Sequence, residues 1–386
     1  MPAATNLGLK SWLEPLHKYE NANSFSLRDS QNQAGVAELA LPGRRRSGPL
    51  GGQRPHEVGK RGGLMSELHK FIFDGLPVRG MLVRLTDSWQ EILKRRQGAG
   101  GYPVEVMHLL GEMTAAGALM QGNIKFNGAL VLQIFGNGPV KLAVAEVQPD
   151  LSLRATATVT GVVDAGSTLS QLVNVNNEGR CAITLDPKDK FPGQQAYQGV
   201  VPLFGDSREK IENISEVLEH YMLQSEQLDT KLILAADGNI AAGLLIQRLP
   251  VKGQGNLEGQ MDVDANEDQI GKNEDYQRIS LLASTLKREE LLSLDADTIL
   301  HRLFWEEPIT RFEVLKPSFA CSCSRERVAS MLRTLGTDEI ESIIAEQGKV
   351  SVTCEFCGAL EEFDPVDAAQ IFTQADRQQP PPQAVQ

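Results

Sequence analysis

The order of apolar and polar positions divides the chain into stretches of different character. Residues 1–64 hold no sustained period and are broken by Gly and Pro. They read as a disordered extension, or as sequence upstream of a start at Met65. From Met65 the pattern turns globular. Residues 66–73 predict a short helix, and Asp87 caps a helix that carries Trp89, Ile92 and Leu93 inward. Pro103 suits the first turn of a longer helix through Met107, Leu110, Met113 and Leu119. Strand signals follow. Asn127-Gly128 separates 123–126 from 129–135 as a tight hairpin, and Asn137-Gly138 marks the next turn. Residues 151–160, 180–185 and 199–204 read as strands. Asp206 opens a helical stretch that reaches Glu226, and Asp237-Gly238 joins 231–235 to 240–249 as a final hairpin. Helices segregated from a mostly antiparallel sheet make this region α+β.

Residues 251–275 are rich in Gly, Asn and Asp, with seven acids against two bases, and predict an acidic flexible linker. Tyr276, Ile279, Leu282, Leu286 and Leu291 then recur at helical spacing, and Asp295 caps a second helix with Ile299, Leu300 and Leu303. Both are amphipathic and need a surface to lie on. After Pro317, helices over 324–335 and 337–346 precede a small hairpin of 350–353 with 359–363. The tail after Phe372 is Gln- and Pro-rich. The expected organisation is an extension (1–64), an α+β core (65–250), an acidic segment plus helical linker (251–316), a small cysteine-bearing module (317–372) and a disordered tail (373–386).

Composition narrows the function. The 386 residues are 41% hydrophobic, enough for a sizeable core, and carry a net charge of −12. Residues 1–64 hold nine basic and five acidic side chains, so the remaining 322 residues carry −16. That balance argues against a nucleic-acid binder. No stretch approaches the ~18 apolar residues of a membrane span, and no signal peptide opens the chain. A reducing cytoplasm is the expected compartment. No G-x-x-x-x-G-K-[ST] loop is present, and Gly253-Gln254-Gly255 is a lone glycine pair in the linker. H-E-x-x-H and G-x-S-x-G are absent too. His220 and His301 fall in helical runs as packing or surface residues, and Cys181 sits in a strand as a core residue.

The remaining four cysteines carry the chemistry. Cys321 and Cys323 form C-x-C, and Cys354 and Cys357 form C-x-x-C after thirty intervening residues. Two close pairs around a helical spacer predict a tetrahedral four-thiolate zinc site. Soft thiolates select zinc, and four of them leave no open position for catalysis. Gly358 suits a tight turn around a metal. A region this short has little core, so zinc contributes on the order of 10 kcal/mol to its folding. Arg325 and Arg327 stand beside the first pair and favour ionised, reactive thiols. Each pair can oxidise within itself, which removes two ligands and turns a redox event into unfolding. Two other readings stay open. One is a constitutive zinc-ribbon interaction module that only holds itself together. A nucleic-acid ribbon should be basic, whereas 317–372 holds Glu339, Glu341, Glu346, Glu355, Glu361 and Glu362. The other is a thiol oxidoreductase on Cys354 and Cys357, which lacks the usual βαβ context.

These motifs resemble the redox-regulated holdase chaperones of the heat shock protein 33 family. The resemblance rests on 321–327 (CSCSRER) and 354–358 (CEFCG) at the family's spacing. Val78-Arg79-Gly80, 197–201 (YQGVV), 225–228 (SEQL), Arg302-Leu303 and Glu306-Glu307 add to it, from about Met65 to Phe372. Residues 1–64 have no counterpart, and the acidic segment near 253–274 is longer than usual. The resemblance implies a reduced, zinc-bound, inactive form. It implies that oxidation pairs Cys321 with Cys323 and Cys354 with Cys357, releases zinc, and unfolds the module with the linker at 276–316. Unfolding clients, homodimerisation on activation and independence from nucleotide are implied as well, and no catalysis. Ile279, Leu282, Leu286, Ile299 and Leu303 are first a packing face; their role as client-binding surface comes from the resemblance.

Overall fold

The structure, a computed structural model, describes residues 65–98, 100–190, 195–205, 207–249 and 273–376. The chain divides into two units, 1–64 and 65–386. The expectations for 1–64, for most of the acidic linker and for the end of the tail lie outside the described residues.

The unit from Met65 begins with β1 (Glu67–Phe73), β2 (Val78–Leu85), α1 (Asp87–Gln97) and α2 (Val104–Asn123). Then come β3 (Gly128–Phe135), β4 (Val140–Val147), β5 (Ser152–Val159), α3 (Leu169–Val173), β6 (Arg180–Pro187) and β7 (Tyr197–Pro202). Next are α4 (Ile214–Glu226), β8 (Thr230–Ala236) and β9 (Ala241–Arg248). After the linker stand α5 (Glu274–Ser284), α6 (Arg288–Ser293), α7 (Ala296–Phe304), β10 (Ile309–Arg311) and β11 (Ser318–Phe319). The chain closes with α8 (Arg325–Leu335), α9 (Thr337–Gln347), β12 (Val350–Thr353), β13 (Leu360–Phe363) and α10 (Pro365–Asp376).

The strands form a five-stranded sheet in the order β10-β1-β2-β9-β8 and a six-stranded sheet in the order β11-β5-β4-β3-β6-β7; β12 and β13 make a separate hairpin. Among the described residues all strand pairings are antiparallel except β11 with β5. The class is α+β, as expected. Helix α2 packs on both large sheets. Fourteen of its 20 residues are buried, which explains its apolar character all round. Its small residues allow close approach: Gly111 lies against Trp89, Ala236 and Ala241, and Gly117 against Leu132 and Val147.

The five-stranded sheet has a second apolar face, and α5–α7 cover it. Ile279, Ala283, Leu286, Leu291, Ile299, Leu300, Leu303 and Phe304 join Phe71, Phe73, Val78, Leu82, Leu244 and Ile246 in one core. Phe304 stacks edge-on against Phe73 at 5.0 Å. Phe71 lies over Gly80 on the neighbouring strand, where a Cβ would fall 2.2 Å from its ring. Two arginines add polar ties. Buried Arg84 on β2 donates from Nη1 to the Leu291 carbonyl at 2.6 Å, near the open C-terminal end of α6. Arg288 on α6 pairs with Glu112 on α2 at 3.2 Å and donates to the Ala236 carbonyl.

Several elements differ from the sequence reading. Residues 66–73 are strand β1, not a helix. Leu68 lies near Gly122 of α2, while Phe71 and Phe73 enter the linker-side core, and only an extended segment points residues both ways. Asp87 is the first residue of α1; it accepts from Ser66 N at 2.7 Å instead of capping its own helix. The hairpin at Asn127-Gly128 is absent, because α2 runs on to Asn123 and β3 pairs with β4 and β6. Helix α4 starts at Ile214 rather than at Asp206: Arg208 is left-handed (φ 61°), and Gly205 N bonds the Glu209 carbonyl in a tight turn. The spacing from Tyr276 to Leu291 is split between α5 and α6, which lets Leu286 and Leu291 both reach the sheet. Helix α10 extends past Phe372 to Asp376; Asp364 caps it, and Ala368 and Ile371 enter the small core of the last module.

Candidate metal centre

The last module is built to bring two loops together. Strand β11 pairs with β5, and Ala320 N bonds the Leu153 carbonyl at 3.1 Å, so Cys321 leaves a fixed edge. Ser324 ends the loop by capping α8, its side chain accepting from Arg327 N at 3.3 Å. The second loop leaves β12. Cys354 N bonds the Ala359 carbonyl and Gly358 N bonds the Cys354 carbonyl, both at 2.8 Å. Gly358 takes φ +69°, and a Cβ there would sit 3.3 Å from the Arg95 carbonyl. The turn therefore needs glycine.

The four sulfurs of Cys321, Cys323, Cys354 and Cys357 lie within 4.8 Å of one another. Cys321 Sγ is 3.7 Å from Cys354 Sγ, and Cys323 Sγ is 3.2 Å from Cys357 Sγ. A tetrahedral zinc with bonds of ~2.3 Å separates its sulfurs by ~3.8 Å, so the donor set and its size both fit that ion. Cys357 is buried and the other three are half-buried. As free thiols they differ. Burial opposes ionisation of Cys321, but the Cys323 backbone N–H and the Arg154 guanidinium overcome it and lower its pKa to about 7. Cys323 is pushed upward, chiefly by its contact with Cys357, and Cys354 upward by burial. Cys181 lies apart, buried in β6 with its thiol pushed up to about 12 by desolvation.

The cation at the sulfurs is not one that the sequence reading named. Arg325 turns away to Glu361 and Asp367 and stacks on Phe363, and Arg327 donates to the Ser322 carbonyl. Arg154 on β5 reaches Cys321 Sγ instead, Nη1 to sulfur 3.6 Å. No local pattern marks a residue 167 positions away. The loop 354–358 also borders a cavity of about 110 Å³ lined by Ile92, Arg96, Tyr102 and Ala155 of the core.

Of the five predicted client-binding residues, Ile279, Leu286, Ile299 and Leu303 are buried and Leu282 is half-buried, all on the linker-covered sheet face. They are one surface, separate from the cysteines. Among the described residues no helix is long and apolar enough to cross a membrane.

Comparison with known proteins agrees with this geometry. The family profile described as Hsp33 protein matches residues 66–364. The 33 kDa chaperonin of Chromobacterium violaceum is 46% identical over 307 residues, covering 79% of this chain and 93% of that one. Those of Methylobacillus flagellatus and Neisseria meningitidis serogroup A are 42% and 40% identical, over 80% and 78% of this chain and 95% and 90% of theirs. The crystal structure of the 33 kDa chaperonin (heat shock protein 33 homolog) from Thermotoga maritima superposes with a TM-score of 0.62 at 20% identity. It covers 81% of this chain and 99% of that one, a likeness of fold. With a profile match across the core, the linker and the cysteine loops, and relatives aligned over nearly their whole length, the chain belongs to the Hsp33 family.

Proposed function

We propose that the protein is a redox-regulated, ATP-independent holdase that binds unfolding proteins and keeps them from aggregating during oxidative stress. One observation carries the reading. Residues 274–319 lay three helices over an apolar sheet face and then run straight into Cys321 and Cys323. Zinc held by Cys321, Cys323, Cys354 and Cys357 would supply the crosslink between the module's two loops. In that state the face containing Phe71, Phe73 and Leu244 is covered and the chaperone is off. Oxidation joins Cys321 to Cys323 and Cys354 to Cys357. Each pair gives two electrons to the oxidant, and a peroxide takes them up with two protons and leaves as two waters. No thiolate ligand remains.

Only seven buried apolar residues then support the module, too few to hold it. Loss of β11 and β10 frees α5–α7, and Ile279, Leu282, Leu286, Ile299 and Leu303 become available to clients together with the sheet they covered. The active form is read as a homodimer, in the cytoplasm. Residues 65–250 serve as core, 251–316 as linker and 317–372 as switch. The cycle is one of binding, with no catalysed turnover.

The test is one assay with two readouts. Reduced, zinc-loaded protein is treated with hydrogen peroxide at a temperature that loosens it. Zinc release and suppression of light scattering by a heat-unfolding client should appear together. Zinc loss without suppression, or full suppression by the reduced protein, overturns the reading.

A further inference from the structure

The cysteine site is completed by the core. Arg154 stands in the middle of β5, largely buried, and its guanidinium meets three partners at once. Nη1 donates to Cys321 Sγ at 3.6 Å. Nε and Nη2 donate to Glu146 Oε2 on β4 at 3.1 and 2.7 Å. Its flat face lies 4.2 Å from the ring centroid of Phe356, which stands between Cys354 and Cys357. Two residues along the same strand, Thr156 Oγ1 donates to the Glu355 carbonyl at 3.0 Å. Tyr102 steadies that hydroxyl, its OH lying 3.3 Å from it and accepting from Ala157 N at 3.0 Å. Strand β5 thus grips both residues inside the C-x-x-C loop, and Arg154 alone of these contacts also reaches the C-x-C sulfur.

Charge makes this contact depend on the state of the sulfurs. Four thiolates around one divalent zinc carry a net charge of −2, which attracts a guanidinium in a partly buried setting. Conversion of four thiolates to two disulfides sends four electrons to two peroxide molecules. These take up four protons and leave as four waters, while zinc departs as a hydrated dication. The net charge of the site goes from −2, zinc included, to zero. Arg154 keeps a full partner in Glu146 throughout, so nothing is stranded when the sulfurs lose their charge. The stack on Phe356 does not depend on the charge of the sulfurs, so the contact to Cys321 is the part that responds to it.

We propose that Arg154 is a positioning residue through which the core reads the charge of the cysteine site: it clamps the C-terminal module to β5 while the sulfurs are thiolates and lets go when they are disulfides. This rests on the zinc-thiolate reading above and adds to it a residue of the core domain.

The test uses the full chain, reduced and zinc-loaded, as wild type, R154M and R154K. Methionine keeps an unbranched apolar stem against Phe356 without the charge; lysine keeps the charge without the planar fork. Zinc content is measured first, then hydrogen exchange of 318–320 and 354–358. In R154M, zinc is retained and exchange in both segments rises about 10- to 100-fold, the equivalent of one charge-assisted hydrogen bond. Wild type shows at least that rise only after peroxide, and once both are oxidised wild type and R154M exchange alike, because the released module has no clamp left to lose. R154K falls between, which a purely steric role would not give. Wild-type exchange in R154M overturns the proposal. So does loss of zinc from both variants, since Arg154 would then belong to the folding of the site. A wild-type protein without zinc would instead sink the metal reading. The comparison of wild type with R154M would still decide the clamp, which needs only a thiolate or a disulfide at Cys321.

Discussion

Replacing Cys323 by Ser is expected to strip zinc from the reduced protein and unfold the C-terminal module. Cys323 Sγ lies 3.2 Å from Cys357 Sγ in the tightest part of the sulfur cluster. A serine hydroxyl is a poor zinc donor, and three thiolates leave the fourth position to water, a weaker ligand than thiolate. The loss weighs heavily because the module is small. Helices α8–α10 and the β12–β13 hairpin share seven buried apolar residues, three of them no larger than Ala or Val. Metal binding contributes on the order of 10 kcal/mol to such a domain. The expected result is less than one tenth of wild-type zinc after dialysis, and proteolytic cleavage within 318–376 while 67–248 stays intact. The variant should also suppress client aggregation without oxidant. Stoichiometric zinc and a protected module would contradict the four-ligand assignment.

The second large effect is expected at Ile299→Asp. Ile299 is fully buried in α7 between the linker helices and the sheet. A carboxylate there has no partner, and burying it costs several kcal/mol beyond the lost apolar contact. Detaching α5–α7 is the cheaper course, because they are held by one apolar face and a few polar ties such as Arg84 to the Leu291 carbonyl. Reduced I299D should keep its zinc, bind a hydrophobic dye and suppress aggregation without peroxide. Leu281→Asp is the control: Leu281 is 72% exposed on α5, and its replacement should change none of these. An I299D protein that binds dye but leaves the client to aggregate would show that the uncovered face is not the client surface.

The site was legible in the sequence where its signal is local. Two cysteine pairs at metal-binding spacing and Ser324 before α8 need only a few neighbouring residues to be read, and Gly358 after the second pair is equally local. Arg154 was not legible, since it meets Cys321 through tertiary packing, next to the pairing of β11 with β5, and through no local pattern. The same distinction runs through the fold. Strand β2 gives no alternation because Val78 and Leu82 face the linker helices while Met81 reaches toward α2. Residues 67–70 carry helix-forming side chains, yet β1 is held by β2 on one side and β10 on the other. Asn127-Gly128 has hairpin chemistry without a preceding strand to use it; Asn127 instead donates to Asp189 at 2.8 Å.

In the proposed mechanism, oxidation at the cysteines uncovers the sheet by releasing the linker. Hydrogen exchange of the whole chain before and after peroxide measures this directly. The expected result is that 274–304 and 318–376 lose protection together with zinc, while α2 and β3–β5 keep theirs. An oxidised protein that holds its client while 274–304 remains as protected as in the reduced form would contradict it.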